Sequence, residues 1–370
     1  MKLRRKDART LKRYALIGGL FLLALGVRFW RLTYHSLWFD ETMSLFWASQ
    51  PAERIWDVGL HLVEDKHPPL YYLLLRGWTM FFGSSDAMVR SLGSLLGALA
   101  VLPTFGIGRL LGDRRAGALS ALLVALNPFL VWYSQEVRMF MPAATFGLFG
   151  LYGLLRAWQA GATSAAAGRF GWWGLVLAGL VFATYSYLLG VFFLPVAGLW
   201  LIVLLLVALR QVHRRQAWQT FLCGVTVLAL AAGLVAPLLW TAWRVSTGES
   251  VAGRVFGGMG EPLTCLLAAY ALYRGPWSDG VKRAVQVGTG LLALIAILLP
   301  LRRRPDPGGS RAAGRPLLAL YLFVPLLLGG LLLTWDRTIF DEPRYFTFLV
   351  PALCLLWGRG LAALLDRARL

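Results

Sequence analysis

The chain has 370 residues, 58% of them hydrophobic and 15% charged, with a formal net charge of +19. Soluble domains run near half apolar and about a quarter charged, and at a mean hydropathy of +0.63 one soluble core cannot absorb so much apolar surface. Three well-separated cysteines, Cys223, Cys265 and Cys354, form neither a disulfide framework nor a metal motif.

Apolar runs such as Tyr14 to Trp30, Leu317 to Trp335 and Phe346 to Trp357 are nearly free of charge, and a bilayer core about 30 Å thick takes roughly 20 such residues per helix. Ten spans are expected, at approximately 14–31, 88–112, 116–133, 140–158, 172–188, 190–209, 219–242, 285–301, 317–335 and 345–365. The first has a basic leader but no small-residue cleavage site, so it is expected to remain as an anchor. With the N-terminus in the cytoplasm, the inner segments hold 23 of the 37 Lys and Arg and 4 acids. The outer segments hold 13 basic and 14 acidic residues, and Arg28 falls within the first span. This asymmetry is the positive-inside rule. The basic residues are scattered over thin loops rather than gathered on one face, which excludes a nucleic-acid surface.

Two outer segments are long. The first, 31–87, mixes aromatics, acids and turn residues, and within it Pro69 to Phe82 is apolar but too short to span. It is expected to lie along the interface as an amphipathic helix, and the loop that carries it is the expected catalytic loop. The second, 243–284, contains another short apolar stretch, EPLTCLLAAYALYRGPW. No repeat of 20–50 residues is visible. The expected fold is an all-α integral membrane protein, with about ten transmembrane helices and interfacial helices in a large first outer loop, forming one domain over 1–370.

Four clusters carry groups suited to chemistry. Asp40 and Glu41 follow the first span among aromatics; a partly desolvated carboxylate there suits general-base work. In His67-Pro68-Pro69-Leu70-Tyr71 the prolines set an extended approach and start a helix, where His67 can face an anion. Tyr133-Ser134-Gln135-Glu136-Val137-Arg138 places two charges close to hydrocarbon, which is expensive. Two residues apart, Glu136 and Arg138 do not share a helix face, so each is expected to meet a different partner. Asp341-Glu342-Pro343-Arg344-Tyr345 opens the last span with an Arg fork and a hydroxyl. Under a topology fixed by charge alone, all four clusters and Arg90 emerge on the same face. Carboxylates and arginines at one membrane surface suit an anionic lipid head and a hydroxyl acceptor.

In these residues the chain resembles the C-type membrane glycosyltransferases, most closely the branch of protein O-mannosyltransferases and lipid A aminoarabinose transferases. The matching elements are Asp40-Glu41, His67-Pro-Pro-Leu-Tyr, Arg90, Tyr133-Ser-Gln-Glu-Val-Arg138 and Arg344-Tyr345 with Pro351. The resemblance implies an outer-face cavity, a polyprenyl-phosphate sugar donor and an inverting transfer to a hydroxyl of a lipid, glycan or protein. It assigns the general base to Asp40, with Glu41 as fallback, and the donor phosphate to Arg138, Arg344 and Tyr345, supported by His67 and Arg90. Glu136 and Tyr71 are expected elsewhere in the site. No metal is assigned, although Asp40 with Glu136 could imitate the separated acids of metal-dependent relatives. The chain is expected to lack the extra outer domain of many such proteins, which leaves the acceptor open. The competing readings are a secondary transporter or lipid flippase of the cell envelope, which calls for buried midplane charge and pseudo-repeats, and a scaffold subunit whose site has lapsed.

Overall fold

The computed structural model describes residues 2–162, 169–210, 214–245, 260–273, 275–299, 313–332 and 342–368. Asp341 of the fourth cluster, most of the basic segment 302–315 and the middle of the second outer segment lie outside the described residues. Every regular element among the described residues is helical.

Helix α1 (Lys2–Phe29) leads into the first long loop, which contains α2 (Phe39–Ser49), α3 (Ala52–His61) and α4 (Leu70–Phe82). The last of these is the expected interfacial helix: it starts after the proline pair and stops at Gly83, whose φ of 87° is a backbone state that L side chains rarely adopt. Helices α5 (Asp86–Leu99) and α6 (Val101–Leu111) run on as one span, followed by α7 (Arg114–Leu126), α8 (Pro128–Gln135), α9 (Phe140–Ala162), α10 (Arg169–Ser186) and α11 (Phe193–Leu209). Then come α12 (Arg214–Val245), α13 (Gly260–Leu272), α14 (Asp279–Leu298), α15 (Gly314–Leu332) and α16 (Val350–Arg367), the last preceded by a 3-10 turn over Pro343–Leu349.

Among the described residues, seven helices are long and apolar enough to cross a membrane, or eight if the bent pair α7 and α8 is one span. The protein is therefore a multi-pass membrane protein. The remaining two expected spans correspond to the shorter apolar helices Tyr14–Phe29 and Phe170–Ser186, so a count of ten rests on segments below ordinary spanning length. The helices divide by burial. Those of α16, α9 and the α5–α6 span are mostly buried in protein, whereas α12, α14 and α15 present leucines such as Leu230, Leu294 and Leu327 outward, where lipid tails replace a protein core. Close helix approach uses small residues: a Cβ at Gly358 of α16 would lie 2.5 Å from the Ser120 nitrogen of α7.

The span expected over 116–133 consists of α7 and α8, bent by 52° relative to one another. Pro128 has no N–H for the Val124 carbonyl one turn earlier, and an orphan carbonyl in hydrocarbon costs several kcal/mol. Arg28 of α1 answers this: its guanidinium donates to the carbonyls of Val124 and Ala125, both at 2.9 Å, and its Nε donates to the Ser134 hydroxyl at 3.1 Å. Asn127 caps α8, its side-chain oxygen accepting from the Leu130 N–H at 2.9 Å while its Nδ2 donates to the Tyr270 carbonyl of α13 at 2.7 Å. Arg359 plays a similar part elsewhere, donating to the carbonyls of Leu111 and Ala296 at the ends of α6 and α14, where helix dipoles favour a cation.

Candidate active site

The site forms where α2, the start of α4, α5, the α8–α9 junction and the turn before α16 meet. Adjacent on the first turn of α2, Asp40 and Glu41 leave the helix about 100° apart and so reach different partners.

Glu41 is 1% exposed and fully engaged. One oxygen accepts from Arg90 Nε and the Val137 N–H, both at 3.0 Å; the other accepts from an Arg90 terminal nitrogen at 2.7 Å and the Trp38 N–H at 3.2 Å. The last contact closes the first turn of α2. Arg90 is equally saturated, since its other N–H groups donate to the carbonyls of Leu32 and His35 at 2.7 Å and of Ser36 at 3.1 Å. A guanidinium has five donors, and all five have protein acceptors. The pair clamps the loop after α1 onto α5 and the α8–α9 junction, so Arg90 has no N–H left for a phosphate and Glu41 no open lone pair for a base.

Asp40 points the other way. Its carboxylate lies 3.2 Å from an Arg344 terminal nitrogen and 3.8 Å from one of Arg138, with its side chain 23% exposed. Arg138 also donates to the Asp40 carbonyl at 3.2 Å and contacts the Ser44 hydroxyl at 3.4 Å. Arg344 stacks over Trp38, 5.2 Å from the ring centroid, and stands 5.9 Å from the Tyr345 ring. The Nε of each arginine is buried without a hydrogen-bond partner, so each retains an N–H for an incoming acceptor.

Behind Arg138 runs a chain of hydrogen bonds. Its terminal nitrogen lies 3.4 Å from His67 Nε2, His67 Nδ1 lies 2.6 Å from Asp65, and the Tyr72 hydroxyl donates to the other Asp65 oxygen at 2.6 Å. Because Arg138 can only donate, Nε2 must accept and the ring proton sits on Nδ1. Burial works to raise the Asp65 pKa, but the hydrogen bonds from His67 and Tyr72 and the nearby charge of Arg138 outweigh it and hold this carboxylate below its usual range. Tyr71 packs beneath, its buried hydroxyl without a partner and pushed well above the ordinary phenol range by that burial.

Glu136 and Arg138 do meet different partners. Glu136 accepts from Trp132 Nε1 at 2.6 Å through one oxygen, and its other oxygen is buried with no partner. Burial pushes its pKa from 4.5 up to about 7, against the bond from Trp132 and the charge of Arg344. This side chain lines a cavity of about 310 Å³ together with Trp38, His35, Gln135 and Arg344. Among the described residues, no three His, Cys, Asp or Glu side chains converge as metal ligands would.

All four clusters noted in the sequence thus converge on one site, together with Arg90. Sequence reasoning missed Asp65, Tyr72, Ser44 and the aromatic walls. Asp65, two residues before His67, offered the one local signal, an acid within reach of the imidazole.

Several helices long enough to cross a membrane wrap around paired carboxylates and arginines at one end of the bundle, and this fold is similar to that of solved polytopic membrane glycosyltransferases. Residues 66–243 match the family described as dolichyl-phosphate-mannose-protein mannosyltransferase. No curated protein matches the sequence. Among solved structures, ArnT from Cupriavidus metallidurans in the apo state is similar at a TM-score of 0.61 and 18% identity, over 98% of this chain and 62% of that one. The same protein bound to undecaprenyl phosphate gives 0.53 and 19%, over 96% and 60%. The archaeal oligosaccharyltransferase AglB from Archaeoglobus fulgidus, in complex with an inhibitory peptide and a dolichol-phosphate, gives 0.55 and 13%, over 97% and 51%. The chain spans between about half and 62% of the length of these proteins.

Proposed function

We propose that this protein transfers a sugar from a polyprenyl-phosphate donor to a hydroxyl acceptor at the outer face of the membrane, with inversion at the anomeric carbon. The observation that carries this reading is Asp40, held 3.2 Å from Arg344 and 3.8 Å from Arg138 while both arginines keep an unpartnered buried Nε. A single carboxylate does not use up two guanidinium forks. The remaining donors suit the oxygens of a phosphate, and ArnT and AglB have both been solved with polyprenyl phosphates. The charge asymmetry of the loops supports the outer placement.

In the proposed step the acceptor hydroxyl gives its proton to Asp40 as its oxygen bonds to the anomeric carbon. The bond from that carbon to the phosphate oxygen breaks, and the electron pair leaves with the polyprenyl phosphate. Arg344 and Arg138 stabilise the charge that develops there. The leaving group departs readily, so positioning and the general base account for most of the rate gain. Donor phosphate competes with Asp40 for the two arginines, and binding thereby loosens the base from its ion pairs. Tyr345 borders the phosphate side. Glu41 and Arg90 shape the loop without touching substrate, and His67 acts through Arg138.

The test incubates purified protein with a panel of polyprenyl-phosphate sugars and measures released polyprenyl phosphate. Asp40→Asn is expected to bind donor at least as tightly as wild type, since the amide competes less for the two arginines, but to lose roughly 10²- to 10⁴-fold in turnover. Arg344→Ala is expected to weaken donor binding roughly 10- to 100-fold, the loss of a charge-assisted contact, with only partial rescue by lysine. Unchanged turnover in Asp40→Asn removes the base from this residue and sinks the mechanism.

A further inference from the structure

We propose that Tyr187, at the break after α10, is a further donor to the phosphate of the sugar carrier, its hydroxyl bonding to an oxygen that gains charge as the sugar departs. The inference rests on the donor proposed above and adds to its site a residue that the sequence did not single out.

The local chain explains how Tyr187 reaches the site. Helix α10 stops at Ser186, and Tyr187 is extended, with φ −153° and ψ 128°. Its N–H donates to the Ala183 carbonyl at 3.0 Å and its carbonyl accepts from the Gly190 N–H at 2.8 Å, so the break is pinned on both sides. Gly190 is required there, because a Cβ would run into the Ala183 carbonyl. The turn brings the Tyr187 ring edge-on to Phe140 of α9, with centroids 5.1 Å apart.

Phe140 is buried and forms a floor beneath the two cations of the site. The guanidinium carbons of Arg138 and Arg344 lie 5.7 and 6.0 Å from its ring centroid, and the Tyr345 ring lies 6.5 Å away. Tyr187 rests on the same ring, and Arg138, Arg344 and Tyr345 are all within electrostatic reach of its hydroxyl. Among the described residues that hydroxyl makes no hydrogen bond. Packing does not account for it, since a phenylalanine would fill the same place against Phe140. An O–H beside two arginines finds its use when an acceptor arrives between them. Asp40 engages a terminal nitrogen of each arginine, and a phosphate that takes their remaining N–H groups still has lone pairs for Tyr187. A phenol keeps its proton at neutral pH, and its bond to an anionic oxygen is short and strong and tightens as charge develops there.

The experiment measures binding of undecaprenyl phosphate and of an undecaprenyl-phosphate hexose to the full chain in detergent, together with release of carrier from the ester. Tyr187→Phe keeps the ring on Phe140 and removes only the hydroxyl. Tyr185→Phe is the control, because that hydroxyl is already committed to the Leu234 carbonyl of α12. Tyr187→Phe is expected to melt with wild type and to weaken carrier and ester each by roughly 10-fold, with a further fall in turnover at saturating donor. Tyr185→Phe is expected to bind both as wild type does. Unchanged binding of both ligands by Tyr187→Phe overturns the inference alone, provided wild type binds them; a wild type that binds neither overturns the donor reading and the inference with it. A loss confined to the ester would place the hydroxyl on the sugar, and a loss of turnover with both affinities intact would place it on the acceptor; either result overturns the proposal. So would a lowered melting temperature with intact affinity, which would make Tyr187 a packing residue.

Discussion

Replacing Arg90 with methionine separates a structural clamp from a phosphate ligand. The substitution keeps most of the side-chain volume but removes five donors, stranding the Glu41 carboxylate and the carbonyls of Leu32, His35 and Ser36. Removing one partner of a buried ion pair destabilises by about 3–5 kcal/mol. The three carbonyls sit on a loop that can turn toward water, so they add little beyond that. Glu41→Gln should lose a similar amount, because its amide nitrogen would face the guanidinium. Combined, the two changes should fall short of their sum by about 2–3 kcal/mol, the coupling expected of residues in direct contact. Denaturant titration of purified protein in detergent, read by tryptophan fluorescence, gives all four corners of the cycle. Strict additivity would refute the clamp. So would an Arg90→Met variant of wild-type stability with weakened affinity for polyprenyl phosphate, since that is the signature of a guanidinium free to take the ligand.

The buried arginine of α1 should prove equally structural: Arg28→Leu leaves the Val124 and Ala125 carbonyls without their donor, and thermal unfolding in detergent should show a loss of about 2–4 kcal/mol. If Arg28→Leu melts with wild type, the bend after α7 is held by other contacts. Asp65→Asn removes the charge that fixes the His67 tautomer, so turnover should fall about tenfold, equivalent to roughly 1.4 kcal/mol, with melting temperature and donor affinity little changed. An equal fall in stability would make Asp65 merely structural. The pH dependence of Glu136 has a defined sign. Its folded pKa of about 7 lies above the ordinary 4.5, so the folded state binds more protons in that window and stability falls as pH rises from about 4.5 to 7. Glu136→Gln should remove this slope and exceed wild type in stability above pH 7 by about 1–3 kcal/mol; a wild-type slope in the variant would assign the titration to another group.

Much of the architecture follows from local sequence, because membrane burial is a property of each segment. A run of apolar residues must form a helix to satisfy its backbone in hydrocarbon, so the spans could be marked one by one, and Pro69 to Phe82 could be set aside as too short. The break at Pro128 could not be placed as a break: a proline near a span end reads as punctuation, and only Arg28, a hundred residues earlier in the chain, makes the bend tolerable.

Within the site, the sequence determined which groups are available, because charge beside hydrocarbon is costly and stands out against an apolar background. Composition and spacing alone could not separate Asp40 from Glu41; only the family resemblance favoured Asp40, with Glu41 as fallback. Two adjacent acids are equivalent as letters, but one residue along a helix rotates the side chain by about 100°, and the neighbour in each direction depends on packing. The tertiary structure put Arg90 on the Glu41 side and Arg344, some three hundred residues away, on the Asp40 side. The same applies to Glu136 and Arg138: their spacing predicted divergent partners, but the cavity on one side and the His67–Asp65 chain on the other exist only once α2, α4, α8 and the last span meet. Helix formation in a membrane is local and legible in one dimension. Pairing between side chains of distant helices is set by how those helices pack, and no single segment encodes it.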